Sequence, residues 1–444
     1  MKRTKMSRWS RWMRLAPTFA ATAGLLAIPH VASHAAATPH HASGSNSVTI
    51  GFLEKWPEPQ YAPYFQKVVA DYQRTHPNVT VAMQAVGDQP YKDKIRVLTA
   101  AGALPDIYFS WAGDFTKKFV RAGLAANLTD AFYKSSWHTT VGASSAKAYT
   151  YDGKLYGIPM DLDAKFFVYN TAIFKQYHLT PPKTLANLLG ACGVLKQHGV
   201  QPIAFGNQYG WPAIHYLTTL NGAYVPQATL QRDYTPTTGR FTDPGYLRAL
   251  TTFKQLSDRC LTPQANGINH NAAQAQVLAG RAAMQYVESQ EFFAFTKAGG
   301  APASIANTWN FFKFPAIPGA AGNQTYLTGA PDGFLVSSHT KHMAQVIDFL
   351  KFFTDKANGQ LMVKMLGWGS PVIGSSTEAN TFPQLRQAND LINTAKGMNI
   401  WLDTVTNATV AQAYLAGTEG LLDGSRTPQQ VMQSIQAAAK TLHT

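Results

Sequence analysis

Two carboxylates lie two residues apart in the stretch DGKLYGIPMDLDAKFFVYN, which runs from residue 152 to residue 170. In an extended segment residues i and i+2 point to the same side, so Asp161 and Asp163 would present two oxygen-rich groups on one surface. Pro159 sets an extended path just before them, as expected where a chain passes from one lobe to another. The pair predicts a polar ligand site at a domain junction, although an edge strand with both Asp side chains in water fits the same spacing.

Acidic and aromatic residues also occur together after two predicted strands. Glu54 and Trp56 end the segment SVTIGFLEKW, and Trp111 and Asp114 follow ALPDIYF. In open α/β sheets ligands bind just beyond the carboxyl ends of the strands. An indole ring can pack on the apolar face of a sugar, and a carboxylate can accept hydrogen bonds from its hydroxyls. These pairs therefore predict carbohydrate recognition, with a Trp that only covers the core as the alternative.

Further candidates lie at predicted strand ends, loops and crossings later in the chain. Trp211 and Pro212 open a helix after a polar loop, which places that loop at the mouth of a second lobe. Trp368 lies in a Gly-flanked loop, for which we expect exposure to solvent. The candidates in these segments are Gln208, Tyr209, Trp211, Glu288, Asp332 and Trp368.

The elements that must position these residues alternate between strands and helices. Strands near residues 48–54 and 79–86 flank a helix over 61–76 with apolar residues at helical spacing, which is a β-α-β unit and favours a mostly parallel sheet. At 444 residues the chain exceeds one usual core, so two domains of roughly 150 to 200 residues are expected. The sequence thus predicts an α/β protein with two lobes, each a mostly parallel sheet flanked by helices.

The charge pattern argues against nucleic-acid binding. The formal charge is +14, but six basic residues within residues 1–14 have no acidic neighbour, and without them 32 Lys and Arg face 24 Asp and Glu, a net charge of +8. The remaining basic residues are scattered and form no nucleic-acid motif. Charged residues make up only 14% of the chain, below the usual ~25%, so an acidic working environment is one hypothesis.

The first 36 residues have the pattern of a secretory signal, with a basic start, an apolar stretch over 15–28 and small residues near 32–37. Residues 37–46 form a polar linker. We expect a secreted protein, periplasmic or extracellular, with no Cys near the cleavage site to carry a lipid anchor. Cys192 and Cys260 could form one disulfide in such a compartment or remain two buried thiols.

Motifs for the common enzyme classes are absent from the sequence. It contains no Gly-x-Ser-x-Gly elbow, no phosphate-binding loop, no His-Glu-x-x-His and no four-ligand zinc pattern. No cofactor or metal is indicated, and nothing in these residues requires an enzyme.

Five segments in a fixed order resemble the family 1 extracellular solute-binding proteins of ABC importers, the group that includes maltose-binding protein. They are LPDIYFSWAGDFTKKFVRAGLAANLTD, GKLYGIPMDLDAKFFVYN, PPKTL, LAGRAAMQYVES and SSHTKHMAQVIDFLKFF. The resemblance implies sugar contacts at Trp111, Asp114, Gln208, Tyr209 and Trp211. The turn at 288–291 has no Trp where maltose binders have one, and no C-terminal aromatic contact is evident.

The resemblance also implies the architecture and the partners. It implies an N-terminal lobe of residues 47–157 plus 326–373 and a C-terminal lobe of residues 158–325 plus 374–444. The two lobes would close on a carbohydrate, which in this family suggests an oligosaccharide, and a membrane permease of the ABC importer would recognise the closed form. The protein would act as a monomer. Three alternatives stay open: a secreted glycoside-active enzyme with paired acids, a binder of iron or an anion on the same fold, and an adhesion or structural protein.

Overall fold

The structure is a computed structural model, and residues 47–443 are described, apart from the side chains at positions 88 and 89. The expected signal peptide (1–36) and linker (37–46) lie outside the described residues. The strands are β1 Val48–Glu54, β2 Val79–Ala85, β3 Ile107–Trp111, β4 Thr150–Tyr151, β5 Lys154–Leu155, β6 Gly157–Pro159, β7 Lys165–Asn170, β8 Gln201–Ile203, β9 Ala282–Glu288, β10 Trp309–Phe312, β11 Leu327–Thr328, β12 Asp332–Val336 and β13 Met398–Asn399.

Eighteen α-helices of the described residues surround these strands, and three short 3-10 helices cover Ser136–Thr139, Ala265–Gly267 and Ser289–Phe295. The α-helices are α1 Ala62–Thr75, α2 Asp88–Ala100, α3 Asp114–Arg121, α4 Thr129–Tyr133, α5 Ala143–Lys147, α6 Thr171–Gln176, α7 Leu185–Gln197, α8 Trp211–Tyr224, α9 Gln227–Asp233, α10 Pro244–Arg259, α11 His270–Leu278, α12 Ala303–Ala306, α13 Met343–Phe353, α14 Lys356–Leu366, α15 Pro383–Thr394, α16 Leu402–Val405, α17 Ala408–Asp423 and α18 Pro428–Lys440.

Two larger sheets organise the chain, in the strand orders β2-β1-β3-β12-β6 and β10-β7-β9-β8. The first belongs to what we call the N-terminal lobe and the second to the C-terminal lobe. The predicted β-α-β unit is present, since β1 pairs in parallel with β2 and also with β3. The α/β, two-lobed prediction is confirmed.

The sheets are mixed rather than mostly parallel. β12 runs antiparallel to both β3 and β6, and β7 runs antiparallel to both β9 and β10. The physical reason lies in the crossings: a strand that leaves or re-enters a lobe joins its sheet without a β-α-β connection, so the rule that enforces parallel pairing does not apply to it.

Separate hydrophobic cores stabilise the two lobes. In the N-terminal lobe, Phe52 of β1 packs edge-on against Phe334 of β12 and Phe349 of α13, with ring centroids 5.0 and 5.6 Å away. In the C-terminal lobe, β7 is buried on both faces, with Phe167 in one core and Phe166 in another. Alternate residues of a strand point to opposite faces, so the sheet that contains β7 lies between two hydrophobic cores of its lobe.

The chain passes between the lobes where the sequence predicted a crossing. β6 ends at Pro159 in the first sheet, and β7 begins at Lys165 in the second. β11 and β12 make the return, with residues 329–331 between them. The predicted domain boundaries stay a prediction, although β6 carries the first sheet two residues past position 157.

A disulfide joins Cys192 of α7 to Cys260 at the end of α10, with their Cα atoms 5.3 Å apart. Both cysteines are fully buried in the C-terminal lobe. The disulfide links α7 to the end of α10 through two cysteines that are 68 residues apart in sequence.

Candidate ligand-binding cleft

Two adjoining cavities lie between the lobes. The outer cavity has a volume of about 580 Å³, and the inner cavity, of about 60 Å³, shares three lining residues with it: Lys55, Trp211 and Glu288. The inner cavity is lined by Lys55, Lys92, Trp111, Asp163, Trp211, His215, Glu288, Asp332, Trp401, Asp403 and Thr404. Because both lobes contribute to these walls, we call the two cavities together the cleft.

The N-terminal lobe places Trp111 at the end of β3, between two lysines. Lys55, directly after β1, has its Nζ 5.2 Å from the indole centroid, and Lys92 of α2 has its Nζ 5.0 Å from it. Each lysine also pairs with a carboxylate of the cleft, Lys55 with Asp332 at 2.9 Å and Lys92 with Asp403 at 3.0 Å. The indole therefore has two cation-π contacts, and an ion pair holds each of the two lysines in place.

The C-terminal lobe contributes a second aromatic group from α8. Trp211 opens this helix and His215 lies one turn later, so both side chains lie on one face. His215 stacks on Trp401, with ring centroids 4.1 Å apart, while Trp211 lies 4.6 Å from the ring of His270. The Nε1 of Trp211 is buried and has no hydrogen-bond partner within residues 47–443.

A charged network lies beneath these rings. Glu288, at the end of β9, has its Oε1 3.6 Å from Lys165 Nζ and 3.3 Å from His215 Nδ1. Glu291, one turn later, pairs with His270 at 2.5 Å. Burial, together with the positive charge of Lys165, holds the pKa of His215 well below its usual range, so this imidazole is neutral. Burial raises the pKa of Glu288.

The paired carboxylates of the crossing are both buried, and they have different partners. Asp161 accepts hydrogen bonds from the backbone N–H of Asp332 and from Gln290 Nε2, each at 2.7 Å, and so connects β12 with the 3-10 helix after β9. Asp163 accepts from Ser289 Oγ at 2.9 Å and also lines the inner cavity. Burial, followed by the neighbouring carboxylates, raises the pKa of both groups.

The structure brings six of the predicted site residues to the cleft. Five line the inner cavity, and Trp56 lines only the outer one. The five are Trp111, Asp163, Trp211, Glu288 and Asp332. The structure places the other six outside both cavities: Glu54, Asp114, Asp161, Gln208, Tyr209 and Trp368.

Trp368 is buried, so the expectation of an exposed loop residue is wrong. Its side chain is 0% exposed, and its ring centroid lies 5.4 Å from that of Trp56 and 5.1 Å from that of Tyr61. The flanking glycines allow the loop to turn inward, and the aromatic core of the N-terminal lobe then covers the indole. Trp56 is also largely a core residue, since it stacks on Phe65 with ring centroids 5.2 Å apart.

Glu54 lies behind the cleft rather than in it. Its carboxylate is fully buried and accepts a hydrogen bond from the backbone N–H of Trp56 at 2.5 Å. Burial raises the pKa of Glu54 from its ordinary 4.5 to about 7. The strand end is where the sequence predicted it, but the last side chain of β1 points into the protein.

Three further predicted site residues lie outside the cleft: Asp114, Gln208 and Tyr209. Asp114 begins α3 and pairs with Arg121 of the same helix at 2.7 Å. Gln208 is exposed to solvent and Tyr209 is 41% exposed. Their loop ends before the wall that Trp211 forms, so proximity in sequence to a cleft residue did not bring these side chains into the cleft.

Sequence reasoning missed six residues that line the inner cavity. His215 could have been found, because it follows Trp211 by four residues on the same helix. Lys55 lies between Glu54 and Trp56, which are both predicted site residues. Lys92 and the residues of the segment 401–404 carry no local signal. Trp401 is an aromatic residue late in the chain that lines the inner cavity, and no pattern in the sequence indicated it.

The cleft combines flat rings, hydrogen-bond donors and carboxylates, which suits a hydroxyl-rich ligand. Within residues 47–443 there is no cluster of three or more His, Cys, Asp or Glu side chains that could hold a metal ion. The helices of these residues include none long and apolar enough to span a membrane.

The chain is similar in sequence and in fold to known solute-binding proteins. The family model described as bacterial extracellular solute-binding protein matches residues 56–360. The chain is 25% identical over 423 residues to the multiple sugar-binding protein of Streptococcus mutans, which covers 90% of this chain and 95% of that protein. A chitin oligosaccharide binding protein superposes with a TM-score of 0.82 at 23% identity, covering 90% of this chain and 99% of the other. The maltose- and maltodextrin-binding domain of Bdellovibrio bacteriovorus, bound to maltotriose, has a TM-score of 0.69 at 16% identity, covering 88% and 99%.

Proposed function

Because the chain belongs to the bacterial extracellular solute-binding protein family, we propose that it is the carbohydrate-binding component of an ABC importer and takes an oligosaccharide into the cleft. The observation that carries this proposal is that Trp111 of one lobe and Trp211 of the other line the same inner cavity. The sugar specificity named for its relatives supports the same ligand class.

The mechanism needs no covalent chemistry. An oligosaccharide would pack its apolar faces on the two indoles and donate hydroxyls to carboxylates such as Asp403, whose Oδ1 has no hydrogen-bond partner within residues 47–443. Because the ligand touches both lobes, it binds the closed form more tightly than the open form and shifts the population toward closure. A membrane permease then recognises the closed form, and the receptor acts outside the cytoplasm as a secreted monomer.

Ion pairs in the inner cavity support binding rather than hydrolysis. A glycoside hydrolase needs one carboxyl group that donates a proton and a second that attacks or activates water. Here Asp332 is held by Lys55 at 2.9 Å and Asp403 by Lys92 at 3.0 Å. Carboxylates held in this way orient hydroxyls but are poorly placed to cycle protons.

A thermal-shift screen of mono- and oligosaccharides tests the proposal. A sugar at about a hundred times its dissociation constant should stabilise the protein by about 2.7 kcal/mol. Trp211→Ala should abolish that shift with little change in the melting temperature of the free protein. Tyr209→Ala, which removes a neighbouring exposed ring, is the matched control and should keep the shift.

The proposal is wrong if no sugar in the screen raises the melting temperature, or if Trp211→Ala binds as the unmodified protein does. Release of smaller sugars from an oligosaccharide during incubation would instead identify an enzyme.

A further inference from the structure

A further cavity of about 430 Å³ lies in the C-terminal lobe, and we call it the distal cavity. We propose that the distal cavity continues the cleft and receives the far sugar residues of an extended oligosaccharide. This inference rests on the proposed function and adds to it the length of the ligand.

Helix α8 runs along both sites. Trp211 and His215 line the inner cavity, and Thr219 and Ala223 line the distal cavity. The four residues recur every four positions, so they form one stripe on the helix surface. At 1.5 Å per residue the stripe is about 18 Å long, which is longer than a single sugar ring requires.

Two other segments pass from one cavity to the other. Asn399 lines the distal cavity, and Trp401, two residues later, lines the inner one. Thr328 of β11 lines the distal cavity, and Asp332 of β12, four residues later, lines the inner one. Walls built from the same three segments therefore enclose both cavities.

Lys165 lies at the junction. It lines the distal cavity, while its Nζ lies 3.6 Å from Glu288 and 5.1 Å from the ring centroid of Trp211, two residues of the inner cavity. The Lys165 side chain is 1% exposed, and its Nζ has no hydrogen-bond partner within residues 47–443. Glu288 and Glu291, at 3.6 and 4.0 Å, offset the charge of this ammonium but do not satisfy its N–H groups, and a sugar hydroxyl that passes between the cavities would accept a hydrogen bond from it.

The lining of the distal cavity suits a sugar. Tyr286, Phe312 and Phe314 supply aromatic surface, and the ring centroids of Tyr286 and Phe314 are 5.6 Å apart. A chain of hydroxyls runs from Tyr286 through Thr219 to Thr328, each step 2.8 Å, and hydroxyls can both donate and accept hydrogen bonds. Three lysines and, among the described residues, no Asp or Glu line this cavity, so its charged groups would donate hydrogen bonds to sugar oxygens, unlike the carboxylates of the inner cavity.

The test is calorimetric titration with three sugar series of increasing length: galactose, melibiose, raffinose and stachyose; glucose to maltohexaose; and N-acetylglucosamine to its hexamer. In the series that binds, affinity should rise beyond the disaccharide. Phe314→Leu removes a flat ring but keeps an apolar side chain, and it should weaken the longest sugar about tenfold while leaving the shortest binding member unchanged. Phe382→Leu, at a half-buried Phe just before α15, is the control and should change neither.

Thr219→Val is a second variant that removes a hydroxyl without changing the shape of the side chain, and it should also weaken only the longer sugars. Equal affinity at all lengths, or equal loss for short and long sugars in both variants, overturns the inference. If Trp211→Ala still abolishes binding in that case, the proposed function survives and only the distal cavity is excluded. Failure of every series to bind the unmodified protein removes both.

Discussion

Compared with the unmodified protein, Glu54→Gln should gain stability as the pH rises from acidic to neutral. The Glu54 carboxylate is fully buried, and its Oε1 has no hydrogen-bond partner within residues 47–443. Burial raises its pKa from 4.5 to about 7. Between these two values the folded protein holds a proton that the unfolded chain has lost, so the free energy of unfolding falls as the pH rises.

The size of the effect follows from the pKa. A rise of about 2.5 pH units, at about 1.4 kcal/mol per unit, gives about 3 kcal/mol of stability that is present below pH 4.5 and lost as the pH passes 7. The side-chain amide of the variant does not titrate, so the substitution removes this dependence. The burial of Asp161 and Asp163 raises their pKa values as well, and both groups add a dependence of the same sign to the two proteins alike.

Urea unfolding from pH 4.5 to pH 8 measures the difference between Glu54→Gln and the unmodified protein. The difference should move in favour of the variant by up to about 3 kcal/mol over this range, most of it between pH 5 and 7. A difference that stays constant with pH would show that Glu54 ionises normally in the folded protein, and the structural argument would be wrong. The direction also bears on the hypothesis of an acidic environment, because these buried carboxyl groups favour the folded state at low pH.

Three further predictions concern stability and binding. Asp161→Ala removes two buried hydrogen-bond acceptors and should lower the free energy of unfolding, measured in urea, by about 2 to 4 kcal/mol. A decrease below about 1 kcal/mol would contradict the role of Asp161 as a connection between the lobes. Reduction of the Cys192–Cys260 disulfide, which closes a segment of 68 residues, should lower the free energy of unfolding by about 2 to 4 kcal/mol, and an unchanged midpoint would refute this. Asp114→Asn should leave sugar affinity within about twofold, because its carboxylate is held by Arg121 outside the cleft, whereas loss of binding in calorimetry would place Asp114 in the site.

Local pattern was sufficient for the elements and for two anchors of the cleft. The strand at 48–54 and the helix that follows it could be predicted because apolar spacing and turn residues act over a few positions. Trp111 and Trp211 could be selected for the same reason, since a strand end and a helix start are visible in sequence. The length of the chain predicted two domains, and the resemblance to solute-binding proteins then predicted how the segments divide between two lobes.

Only the tertiary structure decided which side chains at those positions line the cleft. Glu54 and Trp368 have the residue types of a sugar site, yet packing against the core of the N-terminal lobe buries both. Trp401 and Lys92 have no local signal, yet chain segments that are distant in sequence carry them into the same cavity. The physical reason is that periodicity determines where an element begins and which face is apolar, whereas burial and convergence depend on contacts between residues far apart in the chain.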